Sequence, residues 1–104
     1  MVKYRRRVDI IADILHVVSQ NAKKTQIMYQ ANLSYKGLTK YLTEVSEASL
    51  VDFEDEKQCY MLTAKGREFL EAYKEYSRDN RHLEKRLNKI NGKKKVLEEL
   101  CSNK

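Results

Sequence analysis

A chain of 104 residues, 41% hydrophobic and 35% charged, with no proline, no tryptophan and three glycines, is one domain's worth of polypeptide. No apolar run approaches the ~18–20 residues of a membrane span, and two cysteines, Cys59 and Cys101, are too few for a disulfide scaffold or a structural zinc site. The net charge of +6 is unevenly placed, at +4 over residues 1–48, −3 over 49–62 and +5 over 63–104, and a small basic protein invites nucleic acid as a partner.

The start, Met1-Val-Lys-Tyr-Arg-Arg-Arg, lacks the continuous apolar stretch and cleavage site of a secretory signal, so a reducing, intracellular setting is expected. Residues 4–19 read as an amphipathic helix, with Val8, Ile11, Leu15 and Val18 recurring at spacings of three and four, joined by Ile14. Ser19-Gln-Asn-Ala is its stop. Residues 24–31 form a second, short helix with Ile27, Met28 and Ala31 inward, and Asn32-Leu-Ser breaks it. Ser34 is placed to N-cap a third helix reaching about residue 48, because its hydroxyl can accept from an N–H of the first turn. Leu38, Leu42 and Val45 are its inner stripe. Ser34, Tyr35, Lys36, Thr39, Lys40 and Thr43 lie on its other side.

The period then changes. Leu50-Val51 with Phe53, and Cys59-Tyr60-Met61-Leu62, are two short, partly alternating runs around a polar turn, which predicts a β-hairpin over 50–62. The turn lacks Asn-Gly or Asp-Gly, so its type is open. Thr63 then N-caps a helix that runs to about residue 100, with Gly92 its one helix-weakening residue, at about 1 kcal/mol relative to Ala. Some 38 residues make a helix ~57 Å long, more than a head of about 62 residues can cover.

Along that helix Phe69, Tyr73, Tyr76, Asn80, Leu83, Leu87, Ile90, Lys94, Leu97 and Cys101 are spaced 4-3-4-3-4-3-4-3-4, an unbroken heptad seam. A self-associating coiled coil is the favoured reading, against a helix lying on its own head or docking to another protein. In a parallel pair Lys94 would meet its own copy. In an antiparallel pair Leu83 faces the partner's Leu87, and Lys94 lies beside Tyr76, where its stem packs and its ammonium gains ~0.5–1 kcal/mol from the ring. The antiparallel arrangement is therefore expected. It sets two heads ~60 Å apart at 1.5 Å per residue, wider than the ~34–36 Å between adjacent half-sites.

Three helices, the second and third joined by a very short turn, followed by a hairpin, are the layout of a winged helix-turn-helix. The third helix would enter the DNA major groove, with Lys36 and Lys40 on phosphates and the hydroxyls and Tyr35 on phosphate or base edges. The equally simple alternative is a solvated helix face. At the wing tip, Asp52-Phe-Glu-Asp-Glu-Lys57 sets four carboxylates against phosphate, and only Lys57 would help. Lys3, Arg5, Arg6 and Arg7 form a second basic cluster that would supply backbone contacts, or else a solubilising terminus.

Thr25-Gln-Ile-Met-Tyr-Gln-Ala-Asn-Leu-Ser-Tyr resembles the helix-turn-helix core of archaeal winged-helix DNA-binding proteins, nearest the small Sulfolobus chromatin-type family of about ten kilodaltons. Cys59-Tyr60-Met61-Leu62-Thr63-Ala64-Lys65-Gly66 resembles that family's second wing strand running into its final helix. The resemblance covers about residues 8–100. It implies a homodimer joined by a long antiparallel coiled coil, with the third helix as recognition element on double-stranded DNA, acting as a transcriptional regulator or a nucleoid-associated, chromatin-type architectural protein.

The expected fold is thus mainly α: a winged helix-turn-helix head at 4–62 and a dimerising antiparallel coiled coil at 63–101. No glycine-rich phosphate loop or nucleophile–base pair is visible, so neither enzymatic activity nor a cofactor is expected. His16, His82 and the two cysteines have no metal-ligand spacing. Cys59 is read as a packing residue, and Cys101 as the end of the seam, with a redox role as the lesser reading. Seven tyrosines suggest single-strand stacking, though Tyr60, Tyr73 and Tyr76 have structural work available. The competing readings are a winged helix used for protein–protein contact through its acidic wing, and a coiled-coil adaptor whose head only caps the coil.

Overall fold

The computed structural model describes residues 5–102, and Lys3 lies outside them. The elements run α1 (Arg7–Val18), α2 (Lys24–Gln30), α3 (Tyr35–Glu47), β1 (Val51–Glu54), β2 (Cys59–Leu62) and α4 (Ala64–Leu100), the expected order of three helices, antiparallel hairpin and long final helix. Among the described residues no helix is long and apolar enough to cross a membrane. The chain divides into two compact units, one closing at Tyr73 and one opening at Lys74. The first ten residues of α4 thus belong to the head.

The head's core is built from the periodic stripes. Ile11, Ile14, Leu15 and Val18 of α1 meet Ile27 of α2 and Leu38, Leu42 and Val45 of α3, all buried. Leu50 and Val51 close it from the start of β1, and Phe69 and Leu70 of α4 pack against it. Full burial of one such side chain contributes ~1.5–3 kcal/mol, so this cluster is the main cohesive force of the head.

Each joint between helices uses a left-handed residue other than glycine. Asn21, Asn32 and Ser49 have φ of 57°, 53° and 63° and follow α1, α2 and α3. After α2, the Asn32 and Leu33 N–H groups donate back to the carbonyls of Tyr29 and Met28 at 3.2 and 3.0 Å. After α3, the Ser49 and Leu50 N–H groups donate to Ser46 and Val45 at 3.1 and 2.9 Å. Both are Schellman ends, in which the reversed turn satisfies carbonyls the helix leaves open. Asparagine tolerates this conformation because its short side chain can bond locally, and serine tolerates it less well.

The two expected N-caps are in place. Ser34 Oγ accepts from the Gly37 N–H at 3.1 Å, and Thr63 Oγ1 accepts from the Gly66 N–H at 3.0 Å. Thr63 does more. Its hydroxyl donates to the Ser49 carbonyl at 2.7 Å, and its own N–H donates to the Leu50 carbonyl at 3.2 Å. Two residues on, Lys65 Nζ donates to the Ala48 carbonyl at 2.7 Å. The start of α4 therefore clamps three successive carbonyls at the end of α3. Gly66 is required by the same contact, because a Cβ there would lie 2.3 Å from the Leu50 carbonyl oxygen and 2.6 Å from Leu62 Cδ1.

The hairpin pairs Val51 with Leu62 and Glu54 with Cys59. A four-residue loop joins the strands, with Gln58 at φ 51° and its side-chain amide donating to the Asp55 carbonyl at 2.6 Å. The hairpin's other edge is held by a contact that has no signal in the sequence. Ala22, expected to lie in a turn, exchanges two backbone bonds with Tyr60, at 3.1 and 2.8 Å, forming a one-residue third strand.

Two predictions concern the α3–α4 joint. Gly66→Ala forces a methyl against backbone and should cost about 2–3 kcal/mol, as overpacking does; a denaturation midpoint equal to the parent's would contradict the clamp. Ser49→Gly relieves a left-handed L-residue and should add ~0.5–1 kcal/mol after glycine's own entropic cost, seen as a higher melting temperature.

Candidate nucleic-acid interface

With Leu38, Leu42 and Val45 turned inward, α3 presents Tyr35, Lys36, Thr39, Lys40 and Thr43 to solvent. Ser34 is also exposed, but its oxygen is committed to the cap. The Thr39 hydroxyl donates to the Tyr35 carbonyl at 2.9 Å, so its proton is used locally and its oxygen remains an acceptor. Lys40 Nζ lies 5.2 Å from the centroid of the Tyr41 ring. Lys36 projects from the first turn beside Tyr35, which is 68% exposed.

The sequence reading missed Lys24. Its Nζ stands 5.0 Å from the centroid of the Tyr35 ring, a contact worth ~0.5–1 kcal/mol at an exposed site. It also lines a cleft of about 260 Å³, floored by Leu42, with Thr39, Thr43, Ser46, Glu47 and Tyr60 around it. A cation from α2 thereby joins the α3 face, and Tyr29 of the same helix is 75% exposed. Lys24 opens a short helix, and nothing in its spacing shows that it reaches another element.

Of the N-terminal basic cluster, Arg5, Arg6 and Arg7 are among the described residues, and two of them are engaged within the head. Arg5 Nη1 donates to Asp13 Oδ2 at 3.0 Å and to the Ala31 carbonyl at 2.6 Å, and Nη2 donates to the Asn32 carbonyl at 2.9 Å. Its guanidinium thus caps the C-terminal end of α2, where open carbonyls and the helix dipole favour a cation. Arg7 is ion-paired with Glu44 of α3. Arg6 is exposed, and its backbone N–H donates to Asp9 Oδ2 at 2.9 Å as α1 begins.

On the wing, Asp52, Asp55 and Glu56 are exposed beside Lys57, and Glu54 is half-buried. Phe53 packs against Tyr60 across the strands in a tilted arrangement, ring centroids 4.9 Å apart and planes at 58°. Cys59 is buried, as a packing residue should be, and Cys101 is exposed; both are free thiols.

The heptad seam has two owners. Phe69 packs on the head's core, and the Tyr73 hydroxyl donates to Asp9 Oδ1 at 2.5 Å, tying α4 to α1. Beyond Lys74 the apolar positions are open. Leu83, Leu87, Ile90 and Leu97 are 48–64% exposed, with Tyr76, Lys94 and Cys101 also exposed and Asn80 half-buried.

Among the solved structures similar to this chain in fold is the crystal structure of Sso10a-2, a DNA-binding protein from Sulfolobus solfataricus. It is 25% identical with a TM-score of 0.67, over 95% of this chain and all of that one. No curated protein matches. The winged helix-turn-helix family model matches residues 4–81, which span all three head helices, the wing and the head's share of α4. The chain belongs to the winged helix-turn-helix family.

Proposed function

We propose that this protein binds double-stranded DNA through α3. The carrying observation is the exposed face of Tyr35, Lys36, Thr39, Lys40 and Thr43 opposite a fully buried stripe, with Lys24 added from α2. Major-groove reading by a helix needs such a set, cations for phosphates and hydroxyls and a ring for base edges. Family membership and the similarity to a Sulfolobus DNA-binding protein support the reading. In this reading Arg6, exposed at the start of α1, adds backbone contacts. Arg5 and Arg7, held by Asp13 and Glu44, serve the head's geometry first. Lys57 is outnumbered by its carboxylate neighbours, so the wing contributes little affinity.

The active unit in this proposal is a homodimer, joined antiparallel along the open seam of α4. Four large aliphatic side chains about half exposed on one helix are costly in water, and a second copy covers them. The protein then acts without enzymatic chemistry, at the nucleoid, as a transcriptional regulator or an architectural protein. Genome-wide occupancy separates these roles: discrete peaks mean a regulator, broad coverage architecture.

Lys36→Ala with Lys40→Ala should reduce the slope of log affinity against log salt by about 2, one per lost phosphate contact, while leaving the fold intact. Gel shifts on a duplex at graded salt measure this. An unchanged slope removes α3 from the role, and no retention even at low salt leaves a protein–protein interaction module instead. For the dimer, Tyr76→Cys with Lys94→Cys in a Cys101→Ser background should yield disulfide-linked dimers on oxidation. Efficient self-linking of Asn80→Cys would show the parallel arrangement instead.

A further inference from the structure

The net charge of the chain is concentrated in one stretch of α4. Residues 80–95 hold seven basic residues and one acidic residue, a net of +6, and in the remainder fourteen of each sign cancel. The stretch lies wholly in the second compact unit. Its cations are not scattered around the helix. At 3.6 residues per turn, Lys74, Arg78, Arg81, Lys85, Lys89 and Lys95 fall within an arc of about 120°, centred opposite the seam of Leu83, Leu87 and Ile90. All six are exposed. No carboxylate falls on that arc between Lys74 and Lys95; its other members are Ser77, Asn88 and Gly92. At 1.5 Å per residue the stripe is ~32 Å long.

An ordinary solvated helix flank interleaves Glu with Lys, because i,i+4 pairs of opposite sign stabilise a helix by ~0.2–0.5 kcal/mol and like pairs destabilise it by a similar amount. Here Lys74–Arg78, Arg81–Lys85 and Lys85–Lys89 are like-charged pairs four residues apart. Among the described residues none of the six cations joins an ion pair; the pairs shown are Arg5–Asp13 and Arg7–Glu44. Within the stripe the cations therefore repel one another, and an external polyanion relieves that repulsion. Gly92, with nothing within 4 Å of where a Cβ would stand, leaves room along the same face.

We propose that this stripe is a second DNA-binding surface, separate from α3, that lies along the phosphate backbone of a duplex without reading sequence. The proposal rests on the DNA-binding reading above. Duplex DNA carries one charge per ~1.7 Å of axis, so ~32 Å presents about 19 phosphates to six cations. Pairing along the seam leaves the stripe outward, so dimerisation and DNA contact do not compete. An anionic membrane is the poorer partner: the aliphatic face it would bury is interrupted by Asn80 and Lys94, carries no Trp or Phe from residue 74 onward, and is taken by the second copy in the dimer proposed above.

The test is the full chain with Arg81→Gln, Lys85→Gln, Lys89→Gln and Lys95→Gln, on a random 60-base-pair duplex over a salt series. Gln keeps the helix, being a good helix former, and circular dichroism confirms it. The slope of log affinity against log salt should fall in magnitude by about 3–4, from ~0.9 per phosphate contact, and by more than in the Lys36→Ala, Lys40→Ala variant. Unchanged slope and affinity overturn the proposal while leaving α3 in place. Loss of binding to phosphatidylserine vesicles with the duplex slope kept overturns it in favour of a membrane. A parent protein that binds no duplex at low salt overturns the head's role and this one together.

Discussion

The joint between α3 and α4 governs the head. Three consecutive carbonyls at the end of α3, those of Ala48, Ser49 and Leu50, accept from Lys65 Nζ, the Thr63 hydroxyl and the Thr63 N–H. The β-hairpin leaves and returns between these two lines, so the clamp fixes both ends of the wing at once. It also fixes the direction of α3, and with it where Lys36, Lys40 and the exposed hydroxyls point. Gly66 is the geometric condition for the contact, since any Cβ would push the Leu50 carbonyl away. Arg5 repeats the device at the end of α2, where its guanidinium takes the carbonyls of Ala31 and Asn32. Two of the head's three helix ends are thus closed by cations from elsewhere in the chain, each placed where a helix dipole favours positive charge.

The parts of this structure that follow from local periodicity were legible in the sequence. The stripes of α1 and α3, the breaks at Asn21 and Asn32, the caps at Ser34 and Thr63, and the hairpin all stand where spacing and turn chemistry put them. The face of α3 was legible as the complement of its buried stripe. Long-range polar contacts were not, because a single pair has no period. Arg5 reaches residues 26 and 27 places on, Tyr73 reaches back 64 to Asp9, and the bridge from Ala22 to Tyr60 is one residue long. The reading of Arg5 and Arg7 as one basic cluster with Lys3 and Arg6 missed that Asp13 and Glu44 face them from α1 and α3. A heptad pattern also cannot say which of its layers a neighbouring head will take, as it takes Phe69 and Tyr73.

Charge and apolar surface are divided on different lines. The head is held by a buried aliphatic cluster and a few directional polar clamps, and on α3 the exposed Lys36 and Lys40 are joined by the half-buried Lys24, whose ammonium lies by Tyr35. The wing carries the acidic share, with Phe53 and Tyr60 packed ring to ring across its strands. Beyond Lys74 the helix has two opposed faces, one aliphatic and one cationic. Each is poor for an isolated helix, the first by exposing apolar area and the second by self-repulsion. Each becomes favourable when covered, the one by a like seam and the other by polyanion.

The division of α4 at Tyr73 has a consequence for how that helix forms. An isolated helix is limited by its first turn, which fixes several residues for a single hydrogen bond. Here the Thr63 cap, Phe69 in the core and the Tyr73–Asp9 bond assemble the early turns as part of the head. Everything past Lys74 then extends a nucleus already made, adding one backbone bond per residue. For a single copy of the chain, that mechanism grades helix stability from the head outward, with Gly92 as the point where propagation is weakest.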